Sequence, residues 1–284
     1  MRRISIVGSG VVGSAVGKVF AEKGNDVIFY DVSYDPLVRL ANEGYKTTEE
    51  LTYALDNSVI SFVAVPTPTV DNSFDYSYLD AVSKDISTVL AEKKTPHIVV
   101  FKSTMPPCTL AKRIYPTLNQ ICPKFYENHA LAFNPEFLTE KHPVEDFRNP
   151  YRIVIGIVEN DHTKHAKQVL TGIYAPFKRP IFFVEPEEAE LIKYWSNAEL
   201  SSKISFNNEM ALIASRLGIN SSLVSLIVHL DERLGSYGST AGEPYGGKCL
   251  PKDLNAFITH CREKGVEAPL LEAVRNVNRE VGGE

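Results

Sequence analysis

The sequence has no long hydrophobic run and only a small charge imbalance. No apolar stretch is long enough to cross a bilayer as a helix, and the first apolar run, residues 3–7, is too short for a signal-peptide core. The formal net charge of -5 gives no general attraction for nucleic acid or an anionic membrane. We therefore expect a soluble, cytoplasmic protein with neither nucleic acid nor membrane among its partners.

Cysteine is scarce as well, and its spacing excludes a common class of metal site. There is no C-x-x-C pair and no histidine–cysteine cluster with zinc spacing among the four cysteines, which are Cys108, Cys122, Cys249 and Cys261. Free thiols in a chain of this length are typical of a reducing compartment. The sequence thus predicts no metal, and we expect Cys108, Cys122 and Cys261 to be buried and inert.

What the sequence does contain is an alternation of short apolar runs with helical segments. Strand-like runs occur at residues 3–7, 27–30, 59–65, 98–101, 130–133, 153–157 and 181–184. Strands that alternate with helices favour a parallel, doubly wound sheet. A long helical segment follows at 187–217, and shorter ones at about 221–233, 251–264 and 269–280. We predict an α/β fold with a Rossmann-type domain at 1–185 and a mostly helical catalytic and dimerisation domain at 186–284.

A glycine-rich turn lies between the first strand and the first helix. Gly8, Gly10 and Gly13 form a G-x-G-x-x-G pattern, and Asp31 ends the next strand. Gly8 permits a tight turn, Gly10 lets the backbone approach a pyrophosphate, and Gly13 lets the helix pack closely. The helix N-terminus favours phosphate. Because Asp31 accepts from ribose hydroxyls and repels a 2′-phosphate, the pattern favours NAD over NADP.

Cys249 has the surroundings of a reactive thiol. It follows Gly246 and Gly247, where a substrate can approach the backbone closely, and it lies between Lys248 and Lys252. Positive charge and a helix N-terminus, predicted here at about Pro251, both lower a thiol pKa and raise the thiolate fraction.

Several segments in order along the chain resemble one enzyme family. They are Val65-Pro66-Thr67-Pro68, Lys102-Ser103-Thr104-Met105-Pro106-Pro107, Asn134-Pro135-Glu136-Phe137-Leu138-Thr139-Glu140, Ala189-Glu190-Leu191-Ile192-Lys193-Tyr194 leading to Asn197, Arg233, Gly246-Gly247-Lys248-Cys249-Leu250-Pro251-Lys252-Asp253 and Ala268-Pro269-Leu270-Leu271-Glu272-Ala273-Val274. The chain is similar to the UDP-glucose/GDP-mannose dehydrogenase family, and most like its UDP-glucose 6-dehydrogenases.

The resemblance implies a mechanism. The family oxidises the C6 alcohol of a nucleotide sugar to a carboxylate in two NAD-dependent hydride transfers, with UDP-glucose the expected substrate here. Cys249 would form a thiohemiacetal and then a thioester. Lys193 and Asn197 match stabilisers of the oxyanion, and their i, i+4 spacing puts both on one helix face. The residues that match positions activating or orienting water are Glu136, Thr104 and Asp253.

The resemblance also implies binding residues and a partner. The substrate would be bound by Glu140, Arg233, Tyr245, Gly246 and Lys252. The cofactor would be bound by Gly8, Gly10, Val11, Val12, Gly13, Asp31, Pro66, Thr67 and Thr104. A homodimer is expected, with the 187–217 helix central to its interface.

Two departures and two alternatives remain open. The sequence ends at Glu284, where family members continue into a third domain that closes over the nucleotide, so we expect that domain to be missing. Pro244 replaces a glycine before the Tyr245 turn, and proline fixes φ and removes an N–H. One alternative is a β-hydroxyacid-type dehydrogenase, which uses a helix lysine and no thiol. The other is an NAD-binding truncated paralogue or partner subunit without activity of its own.

Single residues also have plainer interpretations. Lys193 taken alone could be solvated, Glu136 and Glu140 could be exposed acids at helical spacing, and Asp253 could be an ordinary first-turn helix acid. Their joint occurrence with the thiol motif favours the catalytic interpretation.

Overall fold

A computed structural model of the chain describes residues 1–70, 73–235, 243–247 and 249–283. It divides into two compact units. The first comprises Met1–Thr67 and Asp75–Lys193, and the second comprises Pro68–Phe74 and Tyr194–Glu284. The predicted division at residue 185 lies eight residues before this boundary and, as a functional division, stays a prediction.

The first unit is built on an eight-stranded sheet. Its strands are β1 (Arg3–Val7), β2 (Asp26–Tyr30), β3 (Lys46–Thr48), β4 (Ile60–Val63), β7 (His97–Phe101), β8 (His129–Phe133), β9 (Ile153–Ile157) and β10 (Ile181–Val184), while β5 (Thr69–Val70) and β6 (Ser73–Phe74) pair in the second unit. The order is β10-β9-β8-β7-β4-β1-β2-β3. Strands β1, β4, β7 and β8 are buried apolar runs because helices cover a parallel sheet on both faces.

Helices connect these strands and complete the core. They are α1 (Val11–Glu22), α2 (Tyr34–Asn42), α3 (Leu51–Asp56), α4 (Ser77–Glu92), α5 (Tyr115–Ile121), α6 (Phe125–Asn128), α7 (Pro143–Arg148) and α8 (Thr163–Tyr174). The largest buried cluster joins the sheet to α1, α2 and α8, with Phe20 in contact with the rings of Phe62, Phe147 and Tyr174. The predicted α/β Rossmann-type architecture is confirmed.

The sheet departs from the prediction at one junction, because β8 and β9 pair antiparallel. An antiparallel neighbour starts at the edge where the preceding strand ends, so no crossover is needed. The connection, residues 134–152, holds only the short α7 and begins with the Asn134-Pro135-Glu136 segment. The sheet is therefore mostly parallel, as predicted, with one antiparallel junction.

The second unit is mostly helical. Helix α9 (Pro186–Arg216) continues into it from the first unit, and α10 (Ser221–Val228), α11 (Leu250–Glu263) and α12 (Pro269–Glu280) follow. A small cluster of buried side chains consists of Tyr245, Leu254, Ile258 and Val274. None of the residues of α10 is buried. The predicted helices agree with these to within a few residues, except that α10 ends at Val228 and not near 233. No described helix has the length and apolarity required to cross a membrane.

Candidate active site

The glycine-rich turn of the first unit has a distinct requirement at each glycine. Gly8 has φ of +92°, and a Cβ there would meet the backbone oxygen of Ala64 at 2.6 Å. A Cβ on Gly13 would meet the backbone oxygen of Gly8 at 1.8 Å, so only glycine lets α1 start this close to β1. At Gly10, the N-cap of α1, a Cβ would meet no atom within 4 Å. The turn therefore leaves open space at the positive end of a helix, which fits a pyrophosphate.

Asp31 fixes this turn from the end of β2. One carboxylate oxygen accepts from the backbone N–H of Ser9 at 2.6 Å, and the other accepts from Ser33 N–H at 2.8 Å. The Ser9 hydroxyl in turn donates to the Tyr30 carbonyl at 3.0 Å. Asp31 keeps partial exposure, so its remaining lone pairs can accept ribose hydroxyls.

The other predicted cofactor residues lie along the sheet edge where β1, β4 and β7 end. Val11 is 67% exposed at the start of α1, and Val12 is half-buried. Pro66 is exposed and Thr67 half-buried just after β4, whereas Thr104 is buried three residues after β7. Carboxyl ends of parallel strands are the usual place for a dinucleotide in such folds.

A buried lysine follows β7 directly. The Lys102 ammonium donates to the Asn134 backbone oxygen at 3.0 Å and to the Asn134 side-chain oxygen at 2.7 Å. Burial lowers the pKa of Lys102 to about 7; the charge of Glu136 acts to raise it and that of Lys193 to lower it. Because Asn134 also takes a hydrogen bond from the Tyr174 hydroxyl, the segment that leads to Glu136 is held on several sides.

Glu136 and Lys193 form a buried ion pair. The Lys193 ammonium lies 3.0 Å from one Glu136 oxygen, and the side chains of Lys193 and Glu136 are 3% and 9% exposed, respectively. The second Glu136 oxygen accepts from Leu138 N–H at 2.6 Å. The plainer interpretations of a solvated lysine and an exposed acid at helical spacing are therefore wrong, since both are buried and Glu136 lies in no helix.

In the second unit, Cys249 is the N-cap residue of α11. Gly247 has φ of +79°, which accounts for glycine in the turn before it. Pro251 occupies the first turn, and the Asp253 N–H donates to the Cys249 carbonyl at 2.8 Å. Lys248, the other predicted cationic neighbour, lies outside the described residues.

Asp253 links the surroundings of the thiol to α9. Its side chain is 2% exposed. One oxygen accepts from the Lys252 ammonium at 2.6 Å, and the other accepts from the Asn197 amide at 2.6 Å. Asp253 is thus a first-turn helix acid, as its plainer interpretation held. It is nevertheless buried, and it accepts one hydrogen bond each from Lys252 and Asn197, which are also predicted site residues.

Comparison with known proteins identifies the family. Residues 35–178 match the NAD binding domain of the UDP-glucose/GDP-mannose dehydrogenase family, and residues 187–280 match its central domain. The chain is 35% identical to the UDP-glucose 6-dehydrogenase AglM of Haloferax volcanii over 301 residues, which cover 97% of this chain and 69% of that relative. The chain belongs to this family.

Solved structures agree with that membership. A UDP-glucose dehydrogenase from Pyrobaculum islandicum matches with a TM-score of 0.91 and 34% identity, over 99% of this chain and 68% of that one. A GDP-mannose dehydrogenase from Pseudomonas aeruginosa matches with a TM-score of 0.78 and 30% identity, over 99% and 69%. The protein is therefore an NAD-dependent nucleotide-sugar dehydrogenase, which disfavours the β-hydroxyacid alternative.

The remaining predicted substrate residues of the dehydrogenase lie in different settings. Tyr245 is buried, and Gly246 and Glu140 are exposed. Arg233 has an 88% exposed side chain and pairs with Asp231, two residues earlier. Among the other cysteines, Cys122 is buried as expected, but Cys108 and Cys261 are only half-buried.

Sequence reasoning missed the residue that fixes the Tyr245 turn. The Asn278 side chain accepts from Tyr245 N–H at 2.8 Å and donates to the Tyr245 carbonyl at 3.1 Å. Asn278 is fully buried in α12, four residues after the buried Val274. The sequence did carry a signal for Asn278, because it is an asparagine on the apolar face of an amphipathic helix. A buried amide there needs hydrogen-bond partners.

Proposed function

We propose that this dehydrogenase oxidises the C6 alcohol of UDP-glucose to the carboxylate of UDP-glucuronate, with Cys249 as covalent nucleophile. The observation that carries the proposal is the thiol at the N-cap of α11, one helical turn before an Asp253 that bonds both Lys252 and Asn197. We choose UDP-glucose as the proposed substrate because the Haloferax and Pyrobaculum relatives are named for it. The family also includes enzymes named for GDP-mannose.

The proposed chemistry balances with Cys249 returned unchanged. Two NAD molecules, bound one after the other, would each accept one hydride, and each oxidation also releases one proton. The C6 alcohol becomes an aldehyde, the Cys249 sulfur bonds to its carbon, and the resulting thiohemiacetal is oxidised to a thioester. Water then attacks the thioester carbon, the carbon–sulfur bond breaks, and the acid and the free thiol are released.

Lys193 and Asn197 are proposed to stabilise the negative oxygen that develops when sulfur or water attacks. They lie one turn apart on α9, so an ammonium and an amide N–H can be directed to one oxygen. The ion pair with Glu136 holds the Lys193 ammonium in place, and the bond to Asp253 holds the Asn197 amide. Preorganised donors of this kind need little rearrangement during reaction.

Water activation is assigned to Glu136, Thr104 and Asp253. All three side chains are buried. A buried carboxylate that already has a cationic or amide partner can orient a water molecule and share its proton. Glu140, Arg233, Tyr245, Gly246 and Lys252 remain the proposed substrate-binding residues.

The proposed cofactor residues surround the turn between β1 and α1 or follow β4 and β7. They are Gly8, Gly10, Val11, Val12, Gly13, Asp31, Pro66, Thr67 and Thr104. The open space at Gly10 and the close packing at Gly13 support this assignment. Asp31 supports NAD over NADP because a carboxylate repels a 2′-phosphate.

A homodimer is proposed on the exposed apolar side chains of α9 and α10. They include Phe206 at 62%, Met210 at 48%, Ile213 at 44%, Leu226 at 66% and Ile227 at 58% exposure. An apolar surface of this kind usually marks an interface. Sedimentation should give a dimer, and a monodisperse monomer would contradict this assignment. The cytoplasmic location also stays a prediction.

The test is to incubate the chain with NAD and UDP-, GDP- and dTDP-sugars, to follow NADH absorbance and to identify products by mass. We expect two NADH for each acid formed, from UDP-glucose above the others. A single NADH per sugar, insensitive to thiol alkylation, would contradict the covalent mechanism. NAD binding without turnover on any sugar would favour the alternative of a subunit without activity of its own.

A further inference from the structure

Glu190 is a fully buried carboxyl group that the proposed mechanism does not use. It lies in the second turn of α9, three residues before Lys193. One oxygen accepts from the backbone N–H of Cys108 at 2.6 Å, and the other accepts from Leu110 N–H at 2.7 Å. All of these residues belong to the first unit. The carboxyl group therefore joins α9 to the segment that follows β7.

That segment carries part of the proposed site. Lys102, Ser103 and Thr104 are buried in succession after β7, and the Ser103 hydroxyl donates to the Val65 carbonyl at 2.7 Å. Met105 is fully buried, and the chain then turns at Cys108 into a π-helical turn that begins at Leu110. Glu190 thus binds the backbone N–H groups of Cys108 and Leu110, where the π-helical turn begins. Thr104 lies in the stretch of chain that leads into this turn.

Cys108 shows that the segment needs this bond. Its φ is +72°, in the left-handed region where any residue but glycine is strained. Strain of this kind persists only when surrounding contacts fix the backbone. The contact that the structure supplies at the Cys108 N–H is the Glu190 carboxylate.

Burying an acid here is unfavourable by itself. Burial raises the pKa of Glu190 to about 8, although the backbone donors Leu110, Cys108 and Thr109 act to lower it. A buried polar group is retained where its hydrogen bonds fix a structure. An apolar residue would fill the same space without desolvation but could not bind two backbone N–H groups.

We propose that Glu190 is a positioning residue of the dehydrogenase, which fixes the Thr104 segment against the helix that carries Lys193. The inference rests on the proposed roles of Thr104 and Lys193. Glu190 does not act on the substrate itself. Its effect is to keep the Lys193 ammonium and the Thr104 hydroxyl in a fixed relative position. A displacement of about 1 Å at such groups is enough to lower turnover by up to about a hundredfold.

The first test is Glu190→Gln, which has nearly the same size but no second acceptor oxygen. We expect kcat per folded molecule to fall about tenfold or more, and the Kd for NAD to rise by a smaller factor, because Thr104 is only one of the proposed cofactor contacts and the Gly8–Gly13 turn is untouched. Glu187→Gln is the matched control, since Glu187 lies in the first turn of the same helix and undergoes the same substitution. An unchanged kcat in Glu190→Gln would overturn the proposal.

A second variant separates positioning from stability. Cys108→Gly relieves the strain at positive φ, so adding it to Glu190→Gln should restore part of the lost resistance to urea. We expect it to leave kcat low, because a glycine does not replace the bond to α9. Recovery of kcat together with stability would mean that Glu190 only stabilises the fold, and the proposal would fail.

Amide hydrogen exchange tests the proposal even without turnover. In Glu190→Gln we expect exchange to accelerate about tenfold or more at Ser103, Thr104 and Met105 as well as at Cys108 and Leu110. Acceleration confined to Cys108 and Leu110 would overturn the proposal. If the unmodified chain oxidises no nucleotide sugar, the proposed function fails, and the exchange measurement alone still decides the role of Glu190.

Discussion

The two units hold their proposed site residues by different means. In the first unit, carboxylates bind backbone groups: Asp31 binds the N–H groups of Ser9 in the glycine turn and of Ser33 after β2, and Glu190 binds two more after β7. A continuous core beneath the sheet supports them. In the second unit, Asp253 binds the side chains of Asn197 and Lys252, and the cluster of buried apolar side chains is small.

This difference indicates how the site geometry in each unit responds to substitution. A site supported by regular elements and a large core keeps most of its geometry when one contact is lost, although the group that the contact held can shift. A site that depends on a few side-chain bonds loses it more readily. We therefore expect that in the first unit a second substitution can restore stability while activity stays low, whereas variants of the second unit lower both together unless they alter the proposed nucleophile alone.

The largest expected effect is at the proposed nucleophile, Cys249. Cys249→Ser should lower acid formation by on the order of 10⁴-fold or more, because a serine hydroxyl without a matched base is a weak nucleophile. Product mass spectrometry and NADH stoichiometry measure it. Cys261→Ser, on the same helix, is the control and should keep its activity. Acid production that persists in Cys249→Ser would remove the thioester from the mechanism.

The next largest effect concerns the buried ion pair of the first unit. Lys193→Met should lower kcat by about 10²- to 10³-fold through the lost oxyanion partner. It should also reduce the free energy of unfolding by about 3–5 kcal/mol, because Glu136 is left buried without its 3.0 Å partner.

The double variant Lys193→Met with Glu136→Gln sharpens this prediction. Urea unfolding should show that stability returns, since neither charge is then buried alone. Activity should stay low, because both proposed roles are lost. If the double variant regains activity, the pair is structural and the oxyanion assignment is wrong.

The glycine turn offers a contrast within the first unit. Gly13→Ala should destabilise by about 3 kcal/mol, because its Cβ would lie 1.8 Å from the Gly8 oxygen and the backbone must move. Gly10→Ala should change stability by less than about 1 kcal/mol, yet weaken NAD binding about tenfold or more, since the methyl group occupies the approach to the pyrophosphate. Urea unfolding and calorimetry measure the two effects. Equal NAD affinity in Gly10→Ala would contradict the proposed phosphate position.

Local signals in the sequence were enough for most of the fold. The β-branched runs predicted seven of the sheet strands because both faces of the sheet are covered, and the long helix followed from 31 residues without an internal break. The missed strands, Lys46–Thr48 and the short β5–β6 pair, are two or three residues long and carry no periodic pattern. The antiparallel junction at β9 depends on how the 134–152 connection packs, which spacing does not encode.

Site chemistry was predictable where it lies in a contiguous motif. Gly8 to Gly13 and Gly246 to Asp253 were recognisable because turns and helix ends need particular residues in order. Glu190 lies inside a family-like segment but was given no role, and Asn278 was not singled out, because their partners, the Cys108 and Tyr245 backbones, lie 82 and 33 residues away. A buried polar side chain on a helix predicts that some partner exists, but only tertiary structure identifies it.

The smallest expected effect lies at the turn before Cys249. Asn278→Asp keeps the acceptor for Tyr245 N–H but replaces the donor to the Tyr245 carbonyl with a second oxygen, so a buried charge faces a carbonyl. We expect a loss of about 2 kcal/mol in unfolding free energy and a fall in kcat of a few fold, because the thiol turn loses one of its fixed ends.

Asn255→Asp is the control, since its carboxylate would face Arg275, whose guanidinium lies 3.5 Å from the native amide oxygen. If Asn278→Asp lowers stability without changing kcat, stability and activity can be changed separately in the second unit, as in the first. The difference between the units would then lie only in the size of their cores.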